Sequence, residues 1–327
     1  MTRYAVIADY WDGELTFVLL DRAAQAEAAV VPAVGFHLFR FAVRGEPYIA
    51  APPTLAALRD ATSRYGVPIL FPPGRVRGAA FRFAGRDYRL PANRAPDHAH
   101  GELRDLPWRV EAHGADVEGG AWVSAALDLA QHERVSAYWP HDCGLRLTYR
   151  LRGGELLLEG SVTNRSAEAM PLALGFHPYF AVGKEEAERT RVALPAAREW
   201  PLGADGCAAG LPQPTALCDA LRAGVAVTEL PAYPGGSQMF SLAPGGGAGE
   251  LRYGARGTRL VFDFGDRFPI HVLFTAPWVG AVSLEPYTAI MNAFNEPWPA
   301  EETGARGLAG GETFRFGWSL RVEPWRE

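Results

Sequence analysis

Short runs of alternating or uniformly apolar residues recur along most of the chain: FRFAGRDYRL, LRLTYRLRGGELLLEGSVTN, TRLVFDFGDRFPIHVLFTA, GAVSLEPY and ETFRFGWSLRVEPW. Alternation with period two puts successive side chains on opposite faces of a strand. Turn signals such as AGRD and RGGE separate the runs. LRLTYRLRGGELLLEG predicts a hairpin with Gly153 and Gly154 at its turn. Helical patterning is confined to two stretches. PTLAALRDATSRYG predicts a helix with Thr54 as N-cap, Leu55, Leu58 and Ala61 on one stripe, and Gly66 as the stop. A second, weaker helix is expected within PQPTALCDALRAG, and LAPGGGAGE reads as a surface loop. Many strands with two short helices predict an all-β fold, a large antiparallel sandwich, and not alternating βαβ units. With no internal repeat or linker-like tract, residues 1–327 are expected to form one domain.

Two of these runs share a grammar. Read as a strand, PLALGFHPYF puts Leu172, Leu174, Phe176 and Phe180 on a core face, and Ala173, Gly175, His177 and Tyr179 on the other. In GAVSLEPYTA, Val282 and Leu284 take the buried face, while Ala281, Ser283, Glu285 and Tyr287 take the opposite one. Each second face reads small, small, ionisable, aromatic, which describes a recess with a titratable group and a wall. Pro178 and Pro286 follow the ionisable residues directly. Proline donates no ladder hydrogen bond, so both positions are expected where pairing ends or bulges. His177 on its own could be a satisfied core residue, the commoner case, a metal ligand or a proton carrier. Beside Glu285 it forms a workable acid–base pair.

Composition narrows the classes. Net charge is −5 and the pI about 5.9, so no basic footprint for nucleic acid exists. Cys143, Cys207 and Cys218 are odd in number and lack C-x-x-C spacing, which argues for a reducing compartment and against a disulfide framework. The start MTRYAVIADYWDGE lacks a signal-peptide pattern, and no apolar run reaches the roughly 18 residues that span a bilayer. A cytoplasmic protein without membrane association is expected.

Further polar candidates lie in the first third of the chain. In NRAPDHAHGELRDLPWRV, His98 and His100 would share a strand face, a metal-like spacing, but no third ligand stands near and Pro96 and Gly101 suggest a loop. No metal site is assigned. In GVPILFPPGRVRG, Arg75 follows a rigid turn and can present a planar fork of donors to hydroxyls or a carboxylate; Arg77 would share its face if the chain stays extended.

YGVPILFPPGRVRG, RLPANRAPDHAHGELRDLPW, LGFHPYF and SLEPYTAIMNAFN resemble, in that order, successive motifs of the aldose 1-epimerases, the galactose mutarotase-like proteins. AEAAVVPAVGFHLFRFAVRGEPYI is similar to that family's first strands. The resemblance implies a supersandwich of β-sheets with the site on an open sheet face. It also implies cofactor-free interconversion of the α and β anomers of a free hexose such as glucose or galactose. Position by position, His177 would be the general acid at the ring oxygen and Glu285 the general base at the anomeric hydroxyl. His100 and Arg75 would hold sugar hydroxyls, with Tyr179 beside them. For the acidic sugar ligand of the C-terminal half, the resemblance offers Asp263 and Asp266 in LVFDFGDRFP, and Glu102 stands where family members carry an apolar residue.

The chemistry requires an ionised glutamate beside a protonated histidine, a state that each group's charge is expected to support in the other. Two alternatives stay in view: a hexose-6-phosphate 1-epimerase, with Arg75 or Arg77 facing the phosphate, and a non-catalytic carbohydrate-binding or sugar-sensing protein. The expected partner is a small sugar, and the expected assembly a monomer or a homodimer. A hydrolase would need a second carboxylate flanking the bond, and only Glu285 is firmly placed.

Overall fold

The computed structural model describes residues 2–231, 233–245 and 247–326. Among them, antiparallel sheets dominate. A nine-stranded sheet runs, in order, through Arg109–Asp116, Gly120–Asp128, Cys143–Arg152, Glu155–Asn164, Thr313–Pro324, Thr258–Gly265, Gly247–Tyr253, Thr190–Ala193 and Val225–Ala226. A five-stranded meander, from Tyr4–Trp11 to Glu46–Pro47, forms a second sheet.

The third sheet carries the site. Its strands, in chain order, are β1 (Ile69–Leu70), β2 (Gly175–Phe176), β3 (Phe180–Ala181), β4 (Ala196–Trp200), β5 (Gly236–Leu242), β6 (Ile270–Ala276) and β7 (Ala281–Tyr287). In space the order is β4-β5-β6-β7-β2-β1, with β3 also paired to β7. One face of the sheet meets the nine-stranded sheet through Phe176 against Phe316 and Trp318, and Phe180 against Phe262, with ring centres 5.4–5.9 Å apart. The meander meets the same large sheet further along, where Phe36 lies 5.3 Å from Tyr149. One hydrophobic cluster runs through all three sheets. Burying apolar surface at about 25 cal/mol per Å² makes this sheet-on-sheet contact the main stabilising term.

Most patterns resolve as read. Cys143–Arg152 and Glu155–Asn164 form the hairpin, with Gly153 and Gly154 at φ 62° and 79°. Those left-handed values suit glycine. Thr54 caps Leu55–Asp60 by accepting from the Ala57 amide, but the helix stops at Ala61 and not at Gly66. Gly66 serves a later turn, where it donates to the carbonyl of Ala50. The second helix is Ala216–Ala223, capped by Thr215 and followed by Gly224. LAPGGGAGE divides: Gly246 lies outside the described residues, and Gly247 already begins a strand. No helix among the described residues is long and apolar enough to cross a membrane.

Candidate active site

β7 puts alternate side chains on two faces, as the sequence pattern requires. Val282 and Leu284 enter the inter-sheet core, while Ser283, Glu285 and Tyr287 face the other way. PLALGFHPYF keeps its phase but is not one strand. Met170–Leu172 pairs with Arg306–Leu308, and only Gly175–Phe176 and Phe180–Ala181 join the site's sheet. Against β7, pairing is present at Gly175–Tyr287 and at Phe180–Val282, with none between. His177 and Pro178 lie in that gap with the register unchanged on either side; the His177 and Tyr179 amides donate to the carbonyls of Pro68 and Gly66, and the imidazole lies over β7. On the other side of β7 pairing with β6 continues through Pro286, whose missing N–H therefore costs no ladder bond there. Gly175 is needed for this packing, because a Cβ would lie 2.4 Å from the Tyr287 ring.

The two ionisable groups meet. His177 Nε2 lies 3.3 Å from Glu285 Oε1, and both side chains are almost fully buried. Tyr287 donates to Glu285 Oε2 at 2.5 Å. Ser283 Oγ lies 2.9 Å from His177 Nδ1. The Tyr179 ring stacks on His177 at 4.4 Å, with its hydroxyl 3.2 Å from Nε2 and donating to the carbonyl of Ser63 at 2.6 Å. Phe274 presents its edge to the imidazole.

Burial sets the ionisation. It pushes the Glu285 carboxyl up to about 8, against the opposing effect of the Tyr287 hydrogen bond. It pulls His177 down to about 3, with the Arg104 charge acting in the same direction. The free site therefore holds a carboxylic acid beside a neutral imidazole. Burial thus works against the expected resting ion pair, raising the carboxyl and lowering the imidazole.

These groups floor a cavity of about 650 Å³ that Arg75, His100 and Tyr179 also line. That volume lies within the ~300–1,000 Å³ typical of small-molecule sites. His100 reaches it because His100 and Gly101 take left-handed φ of 66° and 65°, which turns the chain after His98–Ala99. A Cβ at Gly101 would lie 2.0 Å from the Phe71 carbonyl oxygen. The His100 ring then sits 5.6 Å from that of His177, and burial and its cationic neighbours hold it well below the usual histidine range. His98 does not share this face. It turns away, with Nδ1 2.7 Å from the carbonyl oxygen of Pro91. Among the described residues no three His, Cys, Asp or Glu side chains cluster as metal ligands would.

Three expectations place differently. Asp263 is exposed on the outer face of the nine-stranded sheet, accepting from the Gly265 amide, and Asp266 is exposed beside Arg267; neither lines the cavity. In Thr258–Gly265 the inward positions go to Phe262 and Phe264, and strand alternation sends Asp263 outward. Arg77 leaves the extended path at a short helical turn and pairs with Asp205 at 2.8 Å, so only Arg75 faces the cavity. Glu102 is buried in an ion pair with Arg134 and accepts from the Tyr138 hydroxyl at 3.0 Å, which gives its carboxylate structural partners.

Arg64, Arg94 and Arg104, which no sequence motif marks, line the same cavity. Arg64 lies over the Trp278 ring, and the carboxylate nearest Arg75 is Asp97, at 4.0 Å. Arg94 is held below its usual value by burial and by Arg75 and Arg64. Arg104, largely buried, has Nε and Nη1 without a hydrogen bond, and Asp105 stays 3.8 Å away. Four guanidinium groups thus face a space whose one lining carboxyl group is neutral at rest. Nothing in local sequence marks Arg64, Arg94 and Arg104, since these three converge with Arg75 from separate segments.

Comparison with known proteins agrees with this architecture. The solved galactose mutarotase-like protein of Clostridium acetobutylicum superposes with a TM-score of 0.90 at 23% identity, covering 98% of this chain and 99% of that one. The galactose 1-epimerase of Lactobacillus acidophilus NCFM superposes at 0.78 with 17% identity and full coverage of both. In sequence, the chain is 34% identical over 86 residues to the Escherichia coli (strain K12) protein named "Putative glucose-6-phosphate 1-epimerase", a match spanning 26% of each chain. The aligned part is thus about a quarter of that relative's length. The Aldose 1-epimerase family profile matches residues 18–231. The chain belongs to the aldose 1-epimerase family.

Proposed function

We propose that this protein is an aldose 1-epimerase that opens and recloses the ring of a hexose with His177 as acid and Glu285 as base. The observation that carries the reading is the pair itself, 3.3 Å apart on the floor of a sugar-sized cavity. The resting pair, carboxylic acid and imidazole, holds the same number of protons as carboxylate and imidazolium. Moving one proton between Oε1 and Nε2 converts one into the other. Sugar hydroxyls bonding to the carboxylate favour the charged form that burial alone disfavours. Glu285 then takes the proton of the anomeric hydroxyl while His177 protonates the ring oxygen, and the bond between C1 and the ring oxygen breaks to give the open-chain aldehyde. After rotation about C1–C2, the freed hydroxyl attacks the other carbonyl face. It returns its proton to His177, and Glu285 gives its own to the anomeric oxygen. Each proton transfer so assisted is worth about 10²–10⁴-fold.

A second reading concerns the substrate: a hexose 6-phosphate in place of the free sugar. Arg64, Arg75, Arg94 and Arg104 favour it, because clustered guanidinium groups whose carboxylate neighbours stand no nearer than 4.0 Å from Arg75 and 3.8 Å from Arg104 suit a phosphate. The test is the decay of optical rotation of freshly dissolved α-glucose, α-galactose and α-glucose 6-phosphate. Acceleration by the protein is expected. Spontaneous rates for all three would leave a non-catalytic sugar-binding role.

A further inference from the structure

The acid–base pair leaves one contact without a role. Ser283 is completely buried, and its Oγ lies 2.9 Å from His177 Nδ1. The hydroxyl can either donate to a bare Nδ1 or accept from a protonated one. The neighbouring groups decide between these. Tyr287 has one hydroxyl hydrogen and gives it to Glu285 Oε2. With Oε2 accepting, the carboxyl hydrogen of the resting acid falls on Oε1, whose nearest nitrogen is His177 Nε2. A hydrogen on Oε1 facing Nε2 requires that Nε2 be bare. The one proton of the neutral imidazole then sits on Nδ1, facing Ser283.

We infer that Ser283 is a positioning residue for His177: its Oγ accepts the Nδ1–H, so that Nε2, facing Glu285 and the cavity, is the nitrogen that gains and loses the working proton. This inference rests on the proposed acid–base role of the pair. The arrangement is a relay in one direction, from the Tyr287 hydroxyl through the Glu285 carboxyl and the imidazole to Ser283. When the proton crosses from Oε1 to Nε2, Nδ1–H stays on Ser283. The new Nε2–H finds two acceptors, Glu285 Oε1 and the oxygen of Tyr179, whose own hydrogen is committed to Ser63. No ring flip or change of tautomer is needed at any step. Without Ser283 the imidazole would keep only its own backbone contact, and the imidazolium that protonates the ring oxygen would be less favoured.

Both the ring nitrogens and the pH response can be read out. The titratable and charged groups around His177 are Glu285, Tyr179, His100 and, by its field, Arg104. In nitrogen NMR of the sugar-free wild-type protein labelled at histidine, the His177 resonances are those lost in His177→Asn. Nδ1 is expected to be protonated throughout pH 5–8, whether or not Nε2 also is. A bare Nδ1 with protonated Nε2 overturns the inference, whatever the enzyme's activity. In Ser283→Ala, kcat should fall about 10- to 100-fold, less than or comparable to loss of the acid itself, with KM unchanged. The acidic limb of its pH profile should move to lower pH, because the doubly protonated pair has lost an acceptor, and Ser283→Thr should restore both. Wild-type kcat and an unmoved pH profile in Ser283→Ala overturn it too. A protonated Nδ1 in a wild type that leaves every anomer at its spontaneous rate would overturn the epimerase reading and the positioning role built on it.

Discussion

Tyr287 and Glu285, two residues apart on one strand, share a hydrogen bond of 2.5 Å in which the phenol donates to the carboxyl group. This bond opposes the burial that lifts the carboxyl to about 8. Removing it in Tyr287→Phe takes away the one neighbour that eases ionisation, so the carboxyl should rise further. The basic limb of the kcat/KM profile should move to higher pH, with a lower plateau. A limb that stays in place, or moves to lower pH, would show that the phenol does not govern the base.

The same burial ties Glu285 to stability. Its folded value is raised, so the contribution of the protonated acid is complete below about 4.5, the ordinary value, and is lost as pH rises through about 8. Glu285→Gln, a neutral group of the same shape, should lack that dependence. Its denaturation midpoint should gain on the wild type between pH 5 and about 8 and level off above that. A gap that does not change with pH would contradict burial as the cause.

His271 faces the inter-sheet core, 3.9 Å from Phe264, with neither ring nitrogen hydrogen-bonded. Burial holds it down at about 3, so this depressed group contributes stability above about 6.5 that is lost as pH falls toward 3. An unpaired buried polar group costs about 1–3 kcal/mol. His271→Leu should therefore raise the melting temperature, and more at pH 5 than at pH 8. A lower melting temperature at both would show that the ring contributes more by packing than it costs by burial.

The arginine cluster separates the two substrate readings. If the phosphate reading holds, Arg64→Ala and Arg94→Ala should each raise KM for α-glucose 6-phosphate about 10- to 100-fold, the range for a hydrogen bond to a charged group. They should barely change the rate with α-glucose. Equal effects on both sugars would assign these side chains to hydroxyl contacts.

Legibility in the sequence followed the range of the forces involved. Strand alternation is local, so the faces carrying His177 and Glu285, the Gly153–Gly154 turn and the Thr54 cap could be read directly. The break in PLALGFHPYF could not, because it depends on which distant strand each half finds: Arg306–Leu308 for one and Tyr287 for the other. Arg64, Arg94 and Arg104 reach one cavity only through tertiary packing. Asp263 and Asp266 were named by resemblance, and strand phase sends Asp263 to the outer surface. The ionisation of the pair is hidden from sequence for a related reason. Proximity of two charges is suggested by sequence, whereas the depth of burial that neutralises them is not.

In the proposed reaction His177 and Glu285 together exchange the anomers of a sugar. Their joint role is tested most directly by exchange NMR between the α and β anomers at equilibrium, in the presence of wild type, His177→Asn and Glu285→Gln. Exchange well above the spontaneous rate is expected with wild type, and a loss of at least about 10²-fold in each variant, with both variants folded. Exchange that either folded variant sustains at the wild-type rate would contradict it.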